Sequence, residues 1–215
     1  IHESQSRLWE NNVGRGFPYW KANFNLLLTY FPEQLKEVDV EQFYQAINAV
    51  KPSLIRTNAD ELTYHVHVMI RFEIEKALID GSIEVKDLPQ IWNAKYKEYL
   101  DIDVPSDSQG VLQDIHWSHG SFGYFPTYSL GSFYATQFYN QAKKEITDLE
   151  QEIEQGNMKP LLDWLRTNIH RYGKKYSAQN LCRKITGEKL NFEHFLIYAK
   201  NCLLYTSDAA DDVEC

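Results

Sequence analysis

A predominantly α-helical chain is predicted by three features of the sequence. Apolar residues recur at helical spacing through most of its 215 positions, Pro, Asp, Asn and Gly punctuate those patterns where helices start and stop, and only Val111 to His116 leaves room for a short β segment. The 30 aromatic side chains (14 Tyr, 11 Phe, 5 Trp) give such helices ample material for a core.

Taken in order, residues 18 to 31 open on Pro18, whose fixed φ suits a first helical turn, and stop at Pro32, which a continuing helix would not accommodate. Asp39 is placed to cap a helix to about Val50, with Phe43, Ala46, Ile47 and Val50 at helical spacing. Asn58-x-x-Glu61 has the form of a capping box and opens the longest pattern, through Met69, Ile70, Ile74, Ala77 and Leu78 to Gly81. Apolar residues on most sides of that helix predict a central position. Asp87-x-x-Gln90 starts a helix ending near Leu100, and Asp101 to Gln109 reads as a loop. Between His116 and Tyr139 lie nine aromatics and three glycines, which predict an aromatic loop region before a polar helix from Gln141 to Gln155, stopped at Gly156. Helices over about 159–172, 177–186 and 191–200 follow, the first two stopped by Gly173 and Gly187.

Composition excludes several roles. With 22 basic and 30 acidic residues the net charge is −8, which argues against capture of nucleic acid or an anionic membrane surface. No apolar run is long enough to span a bilayer. Cys182, Cys202 and Cys215 have neither zinc-finger nor disulfide-scaffold spacing, so a reducing, cytoplasmic setting is expected. The chain opens without an initiator Met or a signal segment, so its natural N-terminus is expected upstream. Residues 202–215 break the helical pattern and resemble the translation of a sequencing-library adapter, which makes them a tail expected to be foreign to the natural chain. Without the four acids of that tail the charge is −4.

Spacing limits the metal chemistry that the histidines can perform. There is no HExxH, and His65 and His67, two apart on a helix, point in nearly opposite directions, so they cannot share an ion. His116 and His119 could share a face only in a helix, which Gly120 argues against. Three segments carry the remaining chemistry: His2-Glu3-Ser4-Gln5 with Arg7 after it, Ile55-Arg56-Thr57-Asn58-Ala59-Asp60, and Gly110-Val-Leu-Gln113-Asp114-Ile-His116-Trp117. Read singly, each has an ordinary structural role: a surface ion pair, an exposed Arg beside helix caps, and a polar turn anchored by a Trp.

Their order, HESQ, then IRxxAD, then GxxQDxHW, then Phe125-Pro126-Thr127-Tyr128, resembles the carboxypeptidase Taq family of zinc metallopeptidases. The resemblance runs from Ile1 to about Lys200 and includes Asp60-Glu-Leu-Thr-Tyr-His-Val-His67. It implies that residues 1–201 are the C-terminal part of one helical, zincin-like catalytic domain, roughly two-fifths of a family member. The family's HExxH, HPF and DxRxT motifs would lie upstream, and the chain alone is expected to be inactive.

The same resemblance implies the roles of individual residues. Glu3 takes the position of the third zinc ligand, beside two imidazoles of the HExxH, with Co2+ a possible substitute for Zn2+. His2 would support that ligand by hydrogen bonding. Arg56 is placed to bind a free C-terminal carboxylate of a peptide, with Gln113 beside it among the substrate-binding residues. His116 and Tyr128 would bind substrate and stabilise the oxyanion, an assignment supported by analogy with thimet-type oligopeptidases. Asp60 and Asp114 would orient their neighbours. The substrates implied are peptides, with no nucleic acid or membrane partner, and family members suggest a homodimer. A thimet-type oligopeptidase and a non-catalytic helical interaction module are the alternative readings.

Overall fold

Several helices of this protein begin where a side chain or a proline serves the first turn, whose N–H groups have no acceptor inside the helix. The structure, a computed structural model, describes residues 1–204. They form α1 His2–Arg7, α2 Phe17–Tyr30, α3 Val40–Ile47, α4 Tyr64–Ile79, α5 Leu88–Leu100, α6 Pro126–Glu145, α7 Leu149–Glu154, α8 Lys159–Asn168, α9 Ala178–Thr186 and α10 Glu193–Tyr198. Short 3-10 turns and two π-helical turns, Leu8–Val13 and Ala199–Leu204, complete the regular structure. No β-strand occurs among the described residues, so the segment considered at Val111 to His116 is not one. It is a turn, in which the Leu112 and Gln113 N–H groups donate to the carbonyls of Asp107 and Gly110.

Several starts are those the sequence predicts. Asp39 makes a full capping box with Gln42, Ser177 caps α9, and α2 and α5 carry Pro in their first turns. The start of α4 differs. Asn58 ends a 3-10 turn, Arg56–Asn58, and Asp60 performs the capping instead. Its Oδ1 accepts from the backbone N of Leu62 (2.9 Å) and Thr63 (2.8 Å), and its Oδ2 accepts from Lys51 N (3.1 Å) and Thr63 Oγ1 (2.5 Å). A carboxylate offering two oxygens to four donors outcompetes the single amide oxygen of Asn58.

The aromatic region differs more. Loop conformation is confined to residues before Pro126, where Gly120 (φ 83°) and Gly123 (φ 76°) occupy the left-handed region. From Pro126 the chain is helical for 20 residues, because Tyr134, Ala135, Phe138, Tyr139 and Ala142 form one buried stripe. The polar helix expected over 141–155 is two helices, α6 and α7, broken near Asp148, which adopts φ 55°.

The chain divides into two compact units, Ile1–Asn48 with the chain from Gly131 on, and Ala49–Leu130, so that α6 contributes to both. The core of the first joins Leu8 and Val13 to Phe138, Ala142, Leu149, Ile153, Leu161, Leu165 and Leu181. The core of the second packs Ile70 and Ile74 of α4 on Trp92, Tyr96 and Leu100 of α5, with Tyr64, Val68 and Phe125 forming a smaller cluster. Helix α4 is buried on one face and exposes Met69, Phe72 and Ile79 on others, so it is central to its unit on one side only. No helix among the described residues is long and apolar enough to cross a membrane. Of the tail singled out in the sequence, Cys202 to Leu204 continue the last π-helical turn, and residues 205–215 lie outside the described residues.

Asp60→Ala removes four hydrogen bonds at the head of α4 and is expected to lower unfolding free energy by about 2 kcal/mol in urea denaturation.

Candidate active site

One face of α4 carries Tyr64, His67, Arg71 and Glu75, spaced three or four residues apart and all buried. Polar groups cannot be buried so densely unless each finds a partner. The partners come from the 3-10 turn at Arg56 and from the irregular segment 110–117. Asp114 lies between two guanidinium groups: Arg56 approaches it side-on through Nη2 (2.6 Å) and Nε (3.1 and 3.2 Å), and Arg71 Nε donates to Oδ2 at 2.7 Å. Gln113 Oε1 accepts from Arg71 Nη2 (2.9 Å) and from the backbone N of Arg56 (3.0 Å). Arg71 Nη1 reaches the His67 carbonyl (2.9 Å) and Tyr96 Oη (3.2 Å), and its guanidinium lies 4.5 Å from the Trp92 ring centre.

Arg56 is itself buried, 6% exposed, rather than solvent-facing. Its Nη1 donates to Tyr64 Oη (2.7 Å), and the rings of Tyr128, Phe125 and Tyr64 surround the guanidinium at 5.2, 5.5 and 5.6 Å. One proton on each terminal nitrogen finds no acceptor among the described residues. Burial lowers the Arg56 pKa, but the hydrogen bond and charge of Asp114 outweigh it and raise the value. Burial likewise works to raise the Asp114 pKa, and the two arginines reverse this and hold it below the usual carboxylate range. Two guanidinium groups hydrogen-bonded to one carboxylate leave the cluster with an excess positive charge.

His116 sits at the edge of this cluster. Its Nε2 is 2.9 Å from Tyr128 Oη, its ring lies tilted against Phe125 with centres 4.3 Å apart, and its Nδ1, 3.9 Å from Asp114 Oδ1, makes no hydrogen bond among the described residues. Burial lowers its pKa against the pull of Asp114, and Arg56 lowers it further, so the imidazole is neutral at pH 7. A neutral imidazole and a phenol that share a hydrogen bond keep one proton between them, which can be offered to an oxygen that develops negative charge.

The unit Ala49–Leu130 therefore brings together Arg56, Gln113, Asp114, His116 and Tyr128. Asp60 belongs to the same unit but serves the cap of α4. Sequence reasoning missed Arg71, His67, Tyr96 and Glu75, whose carboxylate accepts from Trp117 Nε1 (2.7 Å) and Gly123 N (3.1 Å). The available signal was the polar stripe 64, 67, 71, 75 running at helical spacing along the buried face of α4.

Glu3 and His2 belong to the other unit. Glu3 stands in the first turn of α1, 25% exposed, and its Oε1 accepts from Arg7 Nε at 3.2 Å. Its Oε2 accepts no hydrogen bond among the described residues, and Cγ occupies space that a Cβ on Gly131 would fill. That oxygen fits one position in a metal's ligand sphere. His2 is exposed. No group of three His, Cys, Asp or Glu side chains that could hold a metal ion occurs among the described residues.

An all-helical chain carrying these segments is of the helical metallopeptidase class. It belongs to the carboxypeptidase Taq (M32) metallopeptidase family, whose profile matches residues 1–203. It is 44% identical over 198 residues to thermostable carboxypeptidase 1 of Thermus thermophilus, covering 92% of this chain and 39% of that protein. It is 41% identical over 201 residues to carboxypeptidase 1 of Bacillus subtilis, covering 94% and 40%. The crystal structure of the M32 carboxypeptidase from Deinococcus radiodurans superposes with a TM-score of 0.92 at 41% identity, covering 97% of this chain and 42% of that one. The chain thus spans about two-fifths of the length of these relatives.

His67 provides a pH test of the buried cluster. Burial, with the positive charges of Arg71 and Arg56, lowers its pKa to about 4, against the opposing pull of Asp60 and Asp114. The unfolded chain takes up this proton near pH 6.5, so the stabilisation is complete above that value and is lost as pH falls towards 4, by about 3 kcal/mol in total. Urea denaturation at pH 7 and pH 4.5 should show this loss, and His67→Gln should show a smaller one.

Proposed function

We propose that the full-length protein carrying this chain is a zinc metallocarboxypeptidase releasing C-terminal residues from peptides. The observation that carries the proposal is the excess positive charge of the Arg56–Asp114–Arg71 cluster. Asp114 neutralises one guanidinium, and a peptide's terminal carboxylate is the anion that would neutralise the other. Arg56 has unused protons for it, and the surrounding aromatic rings exclude competing water.

In this reading the remaining residues have distinct tasks. Arg71 and Asp114 fix the orientation of the Arg56 guanidinium, and Gln113 holds its backbone. Neutral His116 and Tyr128, joined by one hydrogen bond, keep a single proton to donate to the scissile carbonyl oxygen as it becomes an oxyanion. Glu3, by its free Oε2, would complete a ligand set with two imidazoles from the preceding part of the protein. When bound there, Zn2+, or Co2+ in its place, supplies the Lewis acid that makes water nucleophilic at neutral pH.

The test compares a peptide with its C-terminally amidated twin in the full-length protein. The free acid should be hydrolysed much faster, hydrolysis should stop with chelator and return with Zn2+, and Arg56→Ala should raise KM for the free acid on the order of 100-fold while leaving the amidated peptide unchanged. Equal cleavage of both peptides would identify an internally cleaving oligopeptidase, and absence of chelator-sensitive hydrolysis a non-catalytic helical module.

A further inference from the structure

Glycine inside a long helix costs roughly 0.5–1 kcal/mol relative to alanine, so its presence asks for a reason. Gly131 lies in the middle of α6 and is buried. It does not use a left-handed conformation, because its φ is not positive. What it does is admit Glu3: a Cβ built on Gly131 would lie 2.6 Å from Glu3 Cγ, 2.9 Å from Glu3 Cβ and 3.2 Å from the Glu3 carbonyl carbon. All three nearest neighbours belong to this one residue.

We infer that Gly131 is a positioning residue for the Glu3 carboxylate, and that only the absence of a side chain there allows α1 to present this oxygen to a metal ion. The inference rests on the reading of Glu3 as a ligand. Rotation of the Glu3 side chain relieves only the contact with Cγ. The contacts with Cβ and with the backbone remain, so an alanine at 131 moves the first turn of α1 bodily. Metal–oxygen bonds at such sites are about 2.0–2.2 Å long and tolerate errors of about 0.2 Å. A displacement of several tenths of an ångström therefore takes the carboxylate out of bonding range. Arg7 holds the other oxygen from within α1 itself, so it moves with the helix and cannot correct the error. Further along, Asn12 Nδ2 donates to Thr136 Oγ1 (3.4 Å), a second tie between these segments that does not involve the carboxylate.

The experiment uses the full-length protein and two readouts, Zn2+ affinity by chelator competition and thermal unfolding of the metal-free form. Gly131→Ala should weaken Zn2+ binding roughly 10- to 100-fold, the range typical of lost support around a ligand. Thr136→Ala, which disturbs the same helix contact without touching Glu3, should leave affinity within about twofold of the parent. In the metal-free form Gly131→Ala should lower Tm, and the loss should be smaller in a Glu3→Gly background, which removes both Cβ and Cγ. If Gly131→Ala alone does not fold, recovery of folded protein by the double variant takes the place of that comparison. Unchanged Zn2+ affinity in Gly131→Ala, or a Tm loss that is the same with Glu3 and with Gly at position 3, overturns the inference. Glu3→Gln separates the two claims: full Zn2+ affinity in that variant removes the ligand reading itself, whereas its loss beside an unaffected Gly131→Ala removes only the role of Gly131.

Discussion

One carboxylate held by two buried arginines is the constraint around which the unit Ala49–Leu130 is organised. Asp114 lies in a segment with no helix or strand of its own, and it is fixed there because Arg56 from a 3-10 turn and Arg71 from α4 both need it. Burying a guanidinium without a counter-charge costs several kcal/mol, so the two arginines determine where the loop must lie. Gln113 repeats the arrangement with a neutral oxygen, accepting from Arg71 and from the Arg56 backbone. The interaction orders a loop, orients Arg56 and leaves His116 beside the cluster in its neutral form.

Apolar burial alone would not make this arrangement. Trp92, Tyr96, Phe125 and Tyr128 enclose the charges, and their rings pack against the guanidinium groups as well as against other aromatic rings. Cation–π contacts offset part of the desolvation of Arg56 and Arg71 while keeping bulk water away. The two features divide between the units: the paired-arginine cluster is built in Ala49–Leu130, and Glu3 stands in the other, where α1 and α6 meet at Gly131.

Much of the helical framework was legible in the sequence because its punctuation is local. Asp39, Pro18 and Gly187 act on neighbours within one turn, and the structure uses each as expected. The errors arose where distant residues decide. Asn58 looked like a cap, but Asp60 also accepts from Lys51 and so takes the role. The aromatic stretch after Phe125 read as a loop because its stripe of Tyr134, Phe138 and Ala142 shares the sequence with exposed residues such as Leu130. In the site, the motif residues Arg56, Gln113, Asp114, His116 and Tyr128 were found as a set, whereas Arg71 was not, since the polar stripe of α4 to which it belongs does not say which partner, 43 residues away, it meets. Gly131 was equally silent, because its neighbour is at position 3.

The paired-arginine constraint is tested most directly by a double-mutant cycle on stability between Arg71→Met and Asp114→Asn. With Arg71 present, loss of the Asp114 charge leaves two buried guanidinium groups facing each other; with Met at 71, only Arg56 remains to be satisfied. The account predicts that Asp114→Asn costs about 2 kcal/mol more in the first background than in the second. Equal costs in both would show that the two residues act independently and would contradict the account.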